Sequence, residues 1–172
     1  MKFSKKQIER YSRQIILKKI GVHGQKKLLK SSVLIVGAGG LGSPIAIYLA
    51  SIGVGKIGII DKDSIEISNL ARQILFSTKD IKKSKSSIAI NKLKKINPDI
   101  KLESFSKKLT EKNIKALAKN FDLIVDGSDN FRTRFLINDY CFKKKKILIS
   151  GAISKFDGQA YTFNFKKKNS PC

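Results

Sequence analysis

Cysteine, histidine, proline and acidic residues are all scarce in this chain. It has two cysteines (Cys141 and Cys172), one histidine (His23) and three prolines in 172 residues, with 13 acidic residues against 36 basic ones. Two cysteines make no disulfide framework, which fits a cytoplasmic setting. His23 lies between glycines and reads as a loop residue, neither metal ligand nor general base. The apolar runs fall well short of the roughly 20 residues that cross a bilayer, so no membrane association is expected. The basic start Met1–Lys6 has no apolar segment behind it, which argues against a signal peptide. What remains is 41% apolar, enough for one globular domain with a real core.

The net charge of +23 suggests a nucleic-acid partner. Residue type argues otherwise. Only Arg10, Arg13, Arg72, Arg132 and Arg134 are arginines, which leaves 31 lysines in a chain also rich in Ile and Asn. All three have A/T-rich codons, so genome bias accounts for the excess, and no nucleic acid is expected. The lysines still steer acidic partners electrostatically. Where lysine is the common residue, each arginine invites a functional question, because its planar fork cannot be replaced at bidentate or phosphate sites.

The hydrophobic pattern alternates between helix and strand. Residues 4–20 have helical spacing, with Gly21 placed to end the helix, and Gln25–Lys30 reads as a short polar helix. Strands are expected at Val33–Val36, Lys56–Asp61, Leu102–Phe105, Phe121–Asp126, Ile147–Ser150 and Ala160–Phe165. Helices are expected at Leu41–Ile52, Lys85–Ile96, Thr110–Lys119 and Phe131–Phe142, with a loop at Ser64–Ser77. Lys143–Lys146 and Lys166–Lys168 read as solvated turns. Such alternation implies an α/β, Rossmann-like, doubly wound and mainly parallel sheet with N-terminal helices. We expect a single domain over 1–172, with a helical arm at 1–30 and a core at 31–172.

Gly37-Ala38-Gly39-Gly40-Leu41-Gly42 directly follows the first strand and opens a helix. In that context Gly37, Gly39, Gly40 and Gly42 permit a tight turn and close approach of a phosphate to the helix N-terminus. Asp61, at the end of the second strand, suits ribose hydroxyls. Both features fit NAD and ATP equally. Asn69-Leu70-Ala71-Arg72-Gln73, Lys85 and Ser128-Asp129-Asn130 fall at or near the carboxyl edge of the expected sheet, where ligands bind. Two cations and an acid there suit a triphosphate with Mg²⁺. Taken alone, Asp129 serves equally well as the cap of the helix from Phe131. Cys141, between Tyr140 and Phe142, reads as a buried structural thiol.

Together with Arg10-Tyr11-Ser12-Arg13-Gln14-Ile15 and Ser150-Gly151-Ala152, these motifs resemble the MoeB/ThiF/HesA group, bacterial relatives of ubiquitin-activating enzymes. The resemblance covers essentially the whole chain. It implies ATP-dependent adenylation of the C-terminal glycine of a small ubiquitin-like sulfur-carrier protein ending in Gly-Gly, of the molybdopterin or thiamine type, with release of pyrophosphate. It implies that Gly40 lies against the nucleotide and Asp61 binds ribose. Asn69, Arg72 and Lys85 contact phosphates, and Asp129, flanked by Ser128 and Asn130, holds Mg²⁺. Arg13 is supplied by the neighbouring subunit of a homodimer. Arg134 is structural support, while Arg10 and Arg132 have no assigned role.

In relatives of that group, the cysteine corresponding to Cys172 opens the first of two C-x-x-C pairs that bind a structural Zn²⁺. A single thiol cannot complete a tetrahedral site, so no zinc is expected here. The chain thus resembles a truncated copy with an almost complete ATP site. Two other readings remain: a non-catalytic module that binds nucleotide or carrier, and an NAD-dependent oxidoreductase. The latter leaves Arg13, Arg72, Lys85 and Asp129 without roles.

Overall fold

The computed structural model of the chain describes residues 3–167. Its centre is a six-stranded sheet of β1 (Ser32–Val36), β2 (Lys56–Ile60), β3 (Lys101–Phe105), β4 (Leu123–Asp126), β5 (Ile147–Ser154) and β6 (Asp157–Asn164). The spatial order is β3-β2-β1-β4-β5-β6. The first five strands are parallel and β6 returns antiparallel to β5. The helices are α1 (Lys5–Ile15), α2 (Gly21–Lys30), α3 (Gly42–Ser51), α4 (Lys85–Ile96), α5 (Glu111–Ala118) and α6 (Phe131–Lys143). The expected mainly parallel α/β sheet is therefore present. None of the described helices is long and apolar enough to cross a membrane.

The continuous apolar run of β1 reflects burial on both faces. Strand side chains alternate faces, so Val33 and Ile35 join one core with Ile57, Ile59, Ala46 and Leu93, between sheet and α3–α4. Leu34 and Val36 join the other, with Ile124, Ile137 and Leu148, under α5–α6. Fully burying each such side chain is worth roughly 1.5–3 kcal/mol. Fixing β1 on both sides also fixes the Gly37–Gly42 turn that follows it.

The N-terminal arm departs from the sequence reading. Helix α1 stops at Ile15, and Gly21, at φ +57, opens α2 instead of closing a helix begun at residue 4. The reason is tertiary. Buried Gln25 donates through Nε2 to the Ile52 carbonyl at 2.8 Å, docking α2 onto the end of α3. His23 consequently sits exposed on a helix, not in a loop. Tyr11 is fully buried, and its hydroxyl accepts from Asn97 Nδ2 at 2.9 Å while that nitrogen also donates to the Ala50 carbonyl. Gly53 makes room for this ring: a Cβ there would lie 2.6 Å from it. Arg10, unassigned in the sequence, donates to the Ile96 carbonyl at 2.8 Å.

Two further boundaries move. Strand β5 runs four residues past Ser150, so Gly151 and Ala152 belong to a strand. Lys146 is not a solvated turn residue: it is part-buried and donates to the Phe121 and Lys119 carbonyls. Burial lowers its pKa.

Candidate active site

Strand order reverses between β1 and β4, which both lead into loops at their carboxyl ends. Such a point opens a crevice in a doubly wound sheet. Here a cleft of about 1190 Å³ is lined by Gly37, Gly39 and Gly40, by Asp61, Asn69, Arg72 and Lys85, and by Ser128, Asp129 and Asn130. Residues from Val36 to Gln159, far apart in sequence, thus share one cavity.

The glycines have two different reasons to be glycine. Gly37 has φ +91, and a Cβ on it would stand 2.9 Å from the Gly127 carbonyl oxygen. On Gly42 a Cβ would stand 1.9 Å from the Gly37 carbonyl oxygen. Those two are demanded by the turn itself. An added Cβ on Gly39 would meet the Gln73 side chain, and one on Gly40 the side chain and carbonyl of Arg72, all at 3.7 Å or more. Packing tolerates a side chain at both, so their bareness leaves space in the cleft. No side chain caps the start of α3 at Leu41, and helix N-terminal N–H groups attract anions.

Asp61 emerges beside this turn. Its Oδ2 accepts from Ala38 N–H and its Oδ1 from Asp63 N–H, both at 2.8 Å. Lys85 starts α4 and is buried; its Nζ is 3.8 Å from Asp63 Oδ2. Lys62 approaches the other Asp63 oxygen at 3.1 Å. A hydrogen bond and charge from Asp63 raise the Lys62 pKa despite slight desolvation, and Asp61 and Asp129 add to that. Arg72 is exposed and donates through Nη1 to the Ser68 carbonyl at 3.1 Å. Asn69 is buried; its Oδ1 accepts from Glu66 N–H at 3.1 Å and holds the turn that presents Arg72.

The segment Ser128-Asp129-Asn130 divides its work. Asn130, not Asp129, caps α6 by accepting from Thr133 N–H at 3.0 Å. This leaves the exposed Asp129 carboxylate facing the cleft, with Asn130 Nδ2 at 3.3 Å from Oδ1. The Ser128 hydroxyl points the other way and donates to buried Asp126 at 2.6 Å. Arg134 bridges the Ser128 and Gly151 carbonyls through Nη2 at 2.7 and 2.8 Å. Asp126 was missed in the sequence, where it is simply the last residue of an apolar strand. Its only signal there was an acid ending a buried run.

Arg13 is exposed on α1 and does not line its own chain's cleft. Arg132 borders a second groove between α5 and α6. Cys141 is fully buried, and burial pushes its thiol up to about 12. Cys172 lies outside the described residues. Among the described residues no group of three or more His, Cys, Asp or Glu side chains forms a metal site. A magnesium ion carried on a triphosphate requires only one or two carboxylates, and the exposed, cleft-facing Asp129 fits that demand.

The model of the ThiF family matches residues 11–172. The chain belongs to the ThiF family. This ThiF chain is 48% identical over 164 residues to a probable molybdopterin-synthase adenylyltransferase of Porphyra purpurea, covering 95% of this chain and 43% of that protein. It is 43% identical over 164 residues to the sulfur carrier protein adenylyltransferase of Thermus thermophilus, covering 95% of this chain and 60% of the relative. This ThiF chain therefore spans less than two thirds of the curated relatives it matches. Among solved structures, E. coli MccB with ATP superposes with a TM-score of 0.75 at 31% identity, over 83% of this chain and 44% of MccB. The fold is also that of PaaA, with a TM-score of 0.86 at 24% identity, over 96% of this chain and 54% of PaaA.

Proposed function

We propose that this chain is the nucleotide-binding domain of an adenylyltransferase. The reaction joins AMP to the C-terminal glycine of a small ubiquitin-like sulfur-carrier protein, of the molybdopterin or thiamine type, and releases pyrophosphate. The observation that carries this reading is the convergence of Gly39–Gly40, Asp61, Arg72, Lys85 and Asp129 on one cleft at the β1–β4 crevice. The names of the relatives and the ATP-bound neighbour support it.

In this reading the carrier carboxylate attacks the α-phosphorus of ATP. A carboxylate–phosphate O–P bond forms, the α–β bridging bond breaks, and pyrophosphate leaves with that electron pair. A C-terminal carboxyl has an ordinary pKa near ~3.5, so it is already ionised and needs no base. The barrier is the approach of one anion to another, which charge neutralisation and alignment lower. Gly40 gives room for the nucleotide, and Asp61 orients the ribose. Arg72 and Lys85 neutralise phosphate oxygens, with Lys85 nearest the charge that develops in the transition state. Magnesium, when bound, spreads phosphate charge, and Asp129 would be its protein ligand. Arg13, displayed away from its own cleft, fits a residue given to a second copy in a homodimer.

ATP–pyrophosphate exchange with a Gly-Gly-terminated carrier tests this reading. The chain is assayed alone and as a chimera extended past Cys172 with the corresponding segment of the Thermus thermophilus relative. Exchange that needs ATP, Mg²⁺ and carrier is expected. Exchange by the chimera alone would assign this chain the binding role only. No exchange by either form, with thermal stabilisation by NAD and not by ATP, overturns the reading.

A further inference from the structure

A buried carboxylate outside the cleft carries an inference that rests on the adenylation reading. Asp126 ends β4, is 1% exposed, and does not line the cleft. Its register partner on β5 is Ser150. Oδ1 accepts from both the N–H and the hydroxyl of Ser128, at 2.9 and 2.6 Å. Oδ2 accepts from the Ser150 hydroxyl at 3.0 Å. Among the described residues no lysine or arginine forms an ion pair with it, so neutral donors alone solvate it. Burying a carboxylate this way is costly. An apolar residue would continue the strand without that cost. The carboxylate therefore supplies something that a strand end does not need.

What it supplies is the placement of one residue. Ser128 is held at every polar group it has. Asp126 takes its N–H and its hydroxyl, while Arg134 Nη2 reaches its carbonyl at 2.7 Å. The same Arg134 nitrogen ties that point to Gly151 on β5 at 2.8 Å. Immediately beyond this clamp stands Asp129, whose own carboxylate, among the described residues, accepts a hydrogen bond from its neighbour Asn130 alone, at 3.3 Å. The direction of Asp129 is thus set from behind, through Ser128.

We propose that Asp126 is a positioning residue for Asp129: through Ser128, and braced by Ser150 and Arg134, it holds the Asp129 carboxylate where the metal-bound triphosphate docks. It touches neither nucleotide nor metal. Prepositioned ligands matter because a displacement of about 1 Å can cost on the order of 100-fold in rate.

The test uses Asp126→Ala and Asp126→Asn in whichever form of the protein supports exchange, with two readouts. Amide hydrogen exchange on the nucleotide-free protein reads the clamp. Asp126→Ala is expected to speed exchange at Ser128 and Asp129 by 10-fold or more, leaving β1 and α4 unchanged. The Mg²⁺ titration of pyrophosphate exchange reads the consequence. In Asp126→Ala the half-saturating Mg²⁺ rises and kcat falls on the order of 10- to 100-fold, while KM for the carrier stays. Asp126→Asn keeps one acceptor oxygen for Ser128 and recovers most of both. Unchanged Mg²⁺ dependence with a loosened 127–130 segment overturns the proposal. So does loss of protection spread evenly over the sheet. Ser150→Ala, which removes one brace only, repeats the test if Asp126→Ala fails to fold. Absence of pyrophosphate exchange in the wild type defeats the adenylation reading instead, and the amide-exchange arm still reports on the clamp.

Discussion

The Asp61 carboxylate accepts a hydrogen bond from the Ala38 N–H at 2.8 Å, joining the end of β2 to the glycine turn after β1. Ala38 is 1% exposed. The residue assigned to ribose therefore also satisfies a buried backbone donor. Asp61→Ala leaves that N–H unpaired, and the expected destabilisation is about 1–3 kcal/mol. Asp61→Asn retains an acceptor and is expected to fold normally while binding nucleotide at least 10-fold more weakly. Urea denaturation beside titration with a fluorescent ATP analogue separates the two effects. Equal stability of wild type and Asp61→Ala would show that the turn does not depend on this bond.

Lys85 and Asp129 are expected to act in chemistry rather than stability. Lys85 is buried but its nearest carboxylate stands 3.8 Å away, and Asp129 is exposed. Lys85→Ala and Asp129→Ala should each lower pyrophosphate exchange on the order of 100-fold or more. Melting temperatures should move by only a few degrees. Wild-type exchange in either variant would remove that residue from the mechanism.

Asp80 gives the loop between β2 and α4 an acid-sensitive anchor. Burial raises its pKa, but hydrogen bonds from Lys92 and from the Ser77 hydroxyl and N–H, with the Lys92 charge, outweigh burial and bring it down to about 2. The folded value lies below the unfolded one near ~3.9, so the stabilisation is present above that value. It is lost as pH falls from about 4 toward 2. Asp80 ties the 78–80 turn to α4, at the end of the loop that carries Asn69 and Arg72. Urea unfolding from pH 2 to 7 should show wild type more stable than Asp80→Asn above pH 5, with the gap closing toward pH 2. A constant gap across that range contradicts this account.

Cys141 should be chemically silent in the native protein. Burial raises its thiol to about 12, although Lys146 pulls the other way. The thiolate is the reactive form, so iodoacetamide at pH 8 should leave Cys141 unmodified until urea unfolds the chain. Peptide mass mapping checks this, and rapid native alkylation at Cys141 would show that the α6 face opens.

Much of the frame was legible because it is periodic. The helix at Lys85–Ile96 matches its expected bounds, since Ser84 and Pro98 flank it and its apolar positions share one face. The N-terminal arm was misread because Ile15, Ile16 and Ile20 suggest one stripe, while Ile16 and Leu17 prove exposed and the chain turns. Docking of Gln25 on Ile52 decides that turn, and a polar residue in a polar-looking helix gives no such signal.

By itself the sequence determined the doubly wound order of elements and which glycines, cations and acids fall at the carboxyl edge of the sheet. Period-2 and period-3.6 patterns are local, and strand–turn–helix motifs carry their own geometry. Only the tertiary structure makes Asn130 the helix cap and leaves the Asp129 carboxylate exposed on the cleft, two neighbours of similar chemistry. It also separated Gly37 and Gly42, needed by the turn, from Gly39 and Gly40, which leave room in the cleft. Finally, it revealed Asp126 beneath the site. Each of these depends on which distant backbone or side chain lies within about 3 Å, a distance set by packing between elements and not by neighbours in the chain.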